Sequence, residues 1–392
     1  MSFDAKASEY LLELLRCGVN RITPCEKPED VSWEAVYALA KRHSVSALAY
    51  EAVRHRMNEL PSSIAEAWEE QNAKLLTKYF NQEHELTRLC DTFEREKIPY
   101  MPLKGSCMRE LYPQQHQREM SDLDILVREQ DLEVCCAFAQ TLGYCVEAAN
   151  NHHIELLKKP YMCLEIHKNL VSSSSPFFSY YRSPWKFAQA LPASCRYVMT
   201  KEDYYVYMLA HTAKHYYWTG TGIRSVMDVY LYNRAYRDEL DLKYVAEQLE
   251  QLRLVDFSAQ IETLANQWFA VDSDMGQSSC DTSEMQFYIL NSATYGTMLN
   301  YDQNIVRDYI FKGKSLRSAK VAMYLHMAFL PLDEMKVMYP VLKKAPFFLP
   351  FCWVARWFRI LLKKPSSVKE QYRRVANIKL YSEAAARKDK EY

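Results

Sequence analysis

Glycine is scarce, with 8 in 392 residues. That argues against a glycine-rich cofactor fold and against an all-β chain with many tight turns. Net charge is absent, because 49 Lys and Arg balance 49 Asp and Glu. No global field therefore draws the chain toward nucleic acid or a membrane surface. No two of the 11 cysteines form a C-x-x-C pair, which removes zinc-knuckle spacing. The opening residues carry Asp4, Glu9 and Glu13 and no long apolar core, so they do not read as a secretory signal. An odd number of thiols without such a signal fits a reducing, cytoplasmic setting. No run reaches the roughly 18 uninterrupted apolar residues that a spanning helix needs.

What is present is an ordinary globular composition, 49% apolar and 25% charged, long enough for two or three domains. The chain has three textures. Residues 1–95 carry helical periodicity: Asp4 caps a first helix, a second covers about 32–42, and a third about 45–57. Ser63-x-x-Glu66 reads as a capping box opening a long helix with Leu75, Leu76, Tyr79, Phe80, Leu86, Leu89 and Phe93 on its apolar face. Residues 96–170 read as a small α/β unit. Its strands are expected at Ile98–Leu103, Leu123–Val127, Tyr144–Ala148, Ile154–Leu157 and Tyr161–His167, with a helix over Glu129–Leu142 that stops at Gly143. Residues 171–392 begin with the serine run from Ser172 and return to helices, expected at about 201–217, 223–236, 242–252, 256–270, 283–299 and 316–330. The stretch from Lys363 to Tyr392 holds 9 Lys and Arg against 4 Asp and Glu, a basic tail.

The α/β unit carries the chemistry. Side chains on a strand alternate faces, so Asp122 and Asp124 point the same way. Two such carboxylates raise each other's pKa unless a cation lies between them. Mg²⁺ suits the position, since it accepts one or two carboxylates together with phosphate oxygens. Glu165 and His167 also share a face. If their strand neighbours that of Asp124, Glu165 completes a cage able to hold two ions. Gly105 lets backbone approach a phosphate, and Ser106 adds a hydroxyl at a helix start. The expected reaction is in-line attack by a hydroxyl on an α-phosphorus, with pyrophosphate leaving.

Leu103-Lys104-Gly105, Arg118-x-x-Ser121-Asp122-Leu123-Asp124-Ile125-Leu126-Val127, Leu142-Gly143-Tyr144 and Glu165-Ile166-His167 together resemble a largely uncharacterised bacterial nucleotidyltransferase family. That family lies within the DNA polymerase β-like superfamily. The resemblance covers about residues 95–170 and continues more weakly through His211-x-x-x-His215, Gly222-Ile223-Arg224 and Asp228. It implies an α+β fold, a small mixed-sheet core flanked by N-terminal and larger C-terminal all-helical regions. It implies metal binding by Asp122, Asp124 and Glu165, with two Mg²⁺ ions and Mn²⁺ as the substitute. Gly105, Ser106, Lys104 and Arg118 would hold the NTP. His167, His211, His215, Arg224 and Asp228 would line the site of an unidentified acceptor. Between Ser106 and Asp122 lie 15 residues, longer than the superfamily's usual spacer. The loop 113–120 absorbs the excess and brings Arg118 within reach of a phosphate.

Plainer readings stand beside these. Asp-x-Asp also serves glycosyltransferases that hold a nucleotide-sugar through one metal, although that leaves Lys104-Gly105-Ser106 and Glu165 unexplained. A non-catalytic scaffold of the same fold is the other alternative, but it gains nothing from three clustered carboxylates. His167 is equally a substrate contact, a base or a hydrogen-bonded supporting residue. His152 and His153 read as ordinary residues before a strand. His211 and His215 lie four apart and could join Asp228 around a metal, although packed helices bury such histidines routinely. Arg224 and Asp228 fit a helix ion pair. Lys312-Gly313-Lys314-Ser315 mimics a P-loop end, but Asp308 stands where the earlier glycine is required. Residues 351–363 are amphipathic, with Arg356, Arg359 and Lys363 on one face. Docking onto the helical bundle is favoured there over peripheral membrane contact. The neutral net charge speaks against a stable nucleic-acid partner, while the basic tail leaves room for one.

Overall fold

The computed structural model describes residues 4–173, 175–271, 280–294, 302, 304–306, 309, 314–363, 372, 373, 375 and 376. The chain divides into two compact units, Met1–Lys214 with Thr221–Thr294, and His215–Gly220 with Tyr295–Tyr392. The first unit is α+β and opens with helices. Asp4 caps α1 (Ala5–Asn20) by accepting from the Ala7 N–H at 3.0 Å. Ser32 does the same for α2 (Trp33–Arg42) at Ala35. Then come α3 (Ser46–Val53) and the long α4 (Ser62–Arg95). The capping box at Ser63 and Glu66 is not formed. The helix starts two residues earlier behind Pro61, which makes no side-chain cap bond. Nor is the apolar face of α4 continuous, since Phe80 is exposed while Trp68, Leu89 and Phe93 are buried.

Behind α4 the chain forms β1 (Tyr100–Pro102), α5 (Gly105–Met108), β2 (Leu123–Val127), α6 (Leu132–Thr141), β3 (Cys145–Ala149), β4 (His153–Lys158) and β5 (Met162–His167). Gly143, at φ +91°, ends α6 in the left-handed region, as its spacing predicts. The five strands make one sheet in the order β1-β2-β5-β4-β3. Only β2 and β5 run parallel, joined by a crossover that contains α6. The other pairings are antiparallel.

Alternation sorts this sheet into two faces. Leu123, Ile125, Val127, Leu156, Leu164 and Ile166 pack with Leu89 and Phe93 of α4 and with Cys135, Cys136 and Ala139 of α6. Burying this face on helices leaves the opposite one, with Asp124, Glu165 and His167, for other use. A second, two-stranded sheet of β6 (Ala188–Ala190) and β7 (Tyr197–Met199) was not expected. Three residues are too short to show alternation.

Helix α7 (Lys201–Trp218) follows, opened by the Thr200 hydroxyl, which accepts from the Asp203 N–H at 3.0 Å. The unit continues through α8 (Ile223–Tyr236), α9 (Leu242–Gln251), α10 (Val255–Phe269) and α11 (Ser283–Asn291). The expected helix 283–299 thus ends early, and its last residues lie outside the described ones.

In the second unit, α12 (Leu316–Ala328), α13 (Leu332–Met338) and α14 (Leu349–Lys363) form small cores around Met323 and around Met335, Leu342 and Cys352. Lys312 and Gly313 lie outside the described residues, as does most of the basic tail. Among the described residues no helix is long and apolar enough to cross a membrane.

Candidate active site

The site is built at the turn from β1 into α5. Lys104 sits there with φ +48° and ψ −117°, a conformation that favours glycine and costs a lysine about 1–3 kcal/mol. Three contacts hold it. The Tyr204 hydroxyl donates to the Lys104 carbonyl at 2.7 Å, and the Leu103 N–H donates to the Asp124 carbonyl at 2.9 Å. The Lys104 ammonium donates to Asp124 Oδ1 at 2.6 Å. The strained turn thus carries the lysine side chain back over β2.

Gly105 is required by its neighbours. A Cβ there would lie 2.5 Å from Arg118 Nη1 and 2.7 Å from Met120 Sδ. The hydroxyl oxygen of Ser106 is buried without a hydrogen-bond partner among the described residues.

Strand register assembles the rest. Asp124 lies opposite Glu165 across the parallel β2–β5 pair, and Glu165 lies opposite Glu155 across β4. One row further along, His167 lies opposite His153. The His167 Nε2 is 2.8 Å from Asp124 Oδ1 and 3.1 Å from Glu165 Oε2, so one imidazole bridges both carboxylates. His153 Nδ1 is 3.5 Å from Glu165 Oε2 and 2.9 Å from His152 Nε2. Asp124, Glu165 and His167 present ligand atoms within 4.8 Å of one another, and so do His152, His153 and His167.

The electrostatics follow from this packing. Burial pushes the Asp124 carboxyl up, but Lys104 and His167 outweigh it and hold the group well below the usual carboxylate range. Burial also raises Glu165, and the His167 hydrogen bond reverses it to a net lowering. For His167, burial favours the neutral ring, yet hydrogen bonds to Asp124 and Glu165 raise its pKa. With two carboxylate oxygens within reach of Nε2, that nitrogen is a donor, which disfavours the base role. Asp122 lies outside the group of ligand atoms within 4.8 Å of one another; it is half-buried, with its pKa raised by burial and then by the charge of Asp124.

The remaining expected residues are placed as follows. The buried Arg118 guanidinium grips Asp228 through Nε at 3.0 Å and Nη2 at 2.7 Å, and the Tyr112 hydroxyl joins at 2.8 Å. Asp228 thus takes Arg118 as its ion-pair partner, while Arg224 donates to the Glu119 carbonyl. The His211 ring centroid lies 6.2 Å from that of Tyr207. His215 belongs to the second unit, with Nδ1 3.1 Å from the Thr219 hydroxyl.

Sequence reasoning missed three residues. His152 and His153 look ordinary in the sequence, but register sets His153 opposite His167 and beside Glu165, and the His152 ring centroid lies 5.8 Å from that of His167. The signal was present, since His153 and Glu155 alternate on the strand preceding β5. Lys214 on α7 is half-buried, with its pKa lowered first by burial and then by Lys104, against the pull of Glu165. Nothing local in the sequence marks it.

A family model described as an uncharacterised nucleotidyltransferase matches residues 29–270, which takes in α2–α10 and the whole sheet. Comparison with curated proteins and with solved structures gives no match.

Proposed function

The chain belongs to the family of uncharacterised nucleotidyltransferases, and from that premise we propose that it moves a nucleoside monophosphate from an NTP to a hydroxyl or phosphate acceptor. The observation that carries this reading is the register of Asp124 beside Glu165 on adjacent parallel strands, with His167 bridging them. A helix-backed sheet has no packing reason to gather carboxylates there, because isolated buried charges are costly.

The donor set fits a divalent ion. Two carboxylates converge beside an imidazole that orients them, and the buried Ser106 hydroxyl has no hydrogen-bond partner among the described residues. Asp122, Asp124 and Glu165 would hold Mg²⁺ or Mn²⁺, two ions at most. When bound, such ions draw charge from the phosphates and lower the pKa of the attacking hydroxyl.

The chain's own residues do the rest. Lys104 keeps Asp124 ionised. His167 donates to both carboxylates and fixes their orientation. Ser106 donates to a phosphate oxygen at the turn. Lys214 supplies positive charge to the triphosphate from α7. Arg118, held by Asp228, supports Gly105 from behind, so its part is to shape the turn.

Turnover of labelled NTPs tests the reading, comparing wild type with Asp122→Asn and Asp124→Asn. Loss of metal-dependent pyrophosphate release in both variants supports it. Equal activity in all three proteins overturns it.

A further inference from the structure

Helix α14 has an inner and an outer face. On the inner face, three donors reach the C-terminal end of α12. Arg356 Nη1 donates to the Met327 carbonyl at 3.0 Å, Trp357 Nε1 to Ala328 at 2.7 Å and Trp353 Nε1 to Leu330 at 2.9 Å. These satisfy carbonyls that a helix end leaves open. Phe329 packs its ring between Trp353 and Trp357, at 5.2 Å from each. The docking expected for this segment is therefore made, within its own unit, by the tryptophans and Arg356.

The outer face has no such partner among the described residues. Phe351, Val354 and Phe358 fall three and four residues apart in one stripe, and Phe347 and Phe348 extend it through the preceding turn. Phe347 is 73% exposed, Phe351 71% and Phe358 63%. The Phe348 ring lies 4.6 Å from Phe347 and 6.1 Å from Phe351, so the exposed rings are contiguous. A contiguous aromatic patch of this kind marks an interaction surface.

Charge selects the occupant. Between Met335 and Lys369 the sequence holds eight Lys and Arg and no Asp or Glu. Lys343, Lys344 and Arg359 are exposed beside the phenylalanines. A second copy of the chain would set these cations against their own kind. An anionic bilayer matches both features, because rings enter the boundary between headgroups and acyl chains while cations meet lipid phosphates.

We infer that α14 and the turn before it form a peripheral anchor for anionic membranes. The helix lies in the interface plane, with its tryptophan face on α12 and its phenylalanine face in lipid. Its 15 residues and its arginines do not suit spanning. The surface would hold the enzyme at a membrane whatever the acceptor.

Co-sedimentation of the full chain with vesicles tests this, using phosphatidylcholine alone and phosphatidylcholine with about 30% phosphatidylserine. Wild type is expected to bind the anionic vesicles at least about tenfold more tightly, with binding weakened by salt. Phe351→Ser with Phe358→Ser should lose about tenfold in affinity at an unchanged unfolding temperature. Lys343→Glu with Lys344→Glu should abolish the preference for anionic lipid. Absent or equal binding to both vesicle types overturns the inference, as does wild-type binding by the phenylalanine variant. So does a dimer in solution that the phenylalanine variant dissolves, since a second copy would then be the occupant.

Discussion

The Lys104 ammonium lies 2.6 Å from Asp124 Oδ1, so the carboxylate on β2 is matched by a cation from the adjoining turn. Asp124 is almost wholly buried, and an unmatched charge there is costly. Lys104 therefore stands in the same relation to Asp124 as a metal ion would, and the two would compete for one carboxylate.

Lys104→Met should destabilise the chain by about 3–5 kcal/mol in the presence of a chelator, the usual loss when one partner of a buried pair is removed. Mg²⁺ or Mn²⁺ should restore part of that loss and should stabilise this variant more than wild type. Denaturant unfolding with and without the ion measures both. Equal stability of the two proteins in chelator would show that Lys104 does not balance Asp124.

His167 should couple metal binding to pH. Burial lowers its pKa, but its hydrogen bonds to Asp124 and Glu165 raise it above 6.5 on balance. The proton and a metal ion compete for the same carboxylates, so affinity should rise as pH rises through the His167 titration. The expected slope is at most about one log unit of affinity per pH unit, and His167→Gln should flatten it. Mn²⁺ titration followed by electron paramagnetic resonance across this range reads the slope directly.

Gly105→Ala should destabilise by about 1–3 kcal/mol through overpacking. The new Cβ falls 2.5 Å from Arg118 Nη1. That guanidinium cannot swing aside without breaking its two hydrogen bonds to Asp228. The unfolding temperature checks this, and an unchanged value would mean that the Arg118 and Asp228 pair is looser than its geometry implies.

Glu119 offers a stability test away from the acidic row. Burial pushes its carboxyl up to about 7, against the Ala47 N–H that donates to it at 3.1 Å. The folded pKa exceeds the ordinary 4.5, so the folded state binds the proton more tightly than the unfolded state. Its contribution is complete below pH 4.5 and is lost as pH rises to about 7. Glu119→Gln keeps an acceptor for Ala47 and removes the charge. It should be more stable than wild type above pH 7, with a shallower fall between pH 5 and 8. Parallel melting curves in both proteins settle the sign.

Much of the sheet was legible because strand periodicity is local. The two-residue repeat at Leu123–Val127 and at Met162–His167 showed which residues share a face, and the paired burial of Leu123, Ile125, Leu164 and Ile166 agrees with it. Gly143 announced a helix end through its own backbone chemistry. The strands β6 and β7 were invisible because three residues carry no period, and the box at Ser63 was misplaced because Pro61 starts a helix without a cap bond.

By itself, then, the sequence determined which residue types could do phosphate chemistry and which of them share one side of a strand. Tertiary structure decided who meets whom. Arg118 looked free to reach a phosphate, yet it found Asp228, 110 residues away, because a buried cation settles on the nearest buried anion. His153 gained a place beside His167 only when β4 paired with β5. In α14, amphipathicity announced an apolar side, but packing on α12 took the tryptophans and Arg356 and left the phenylalanines outward. Such pairings depend on how the core closes, and no local period encodes that.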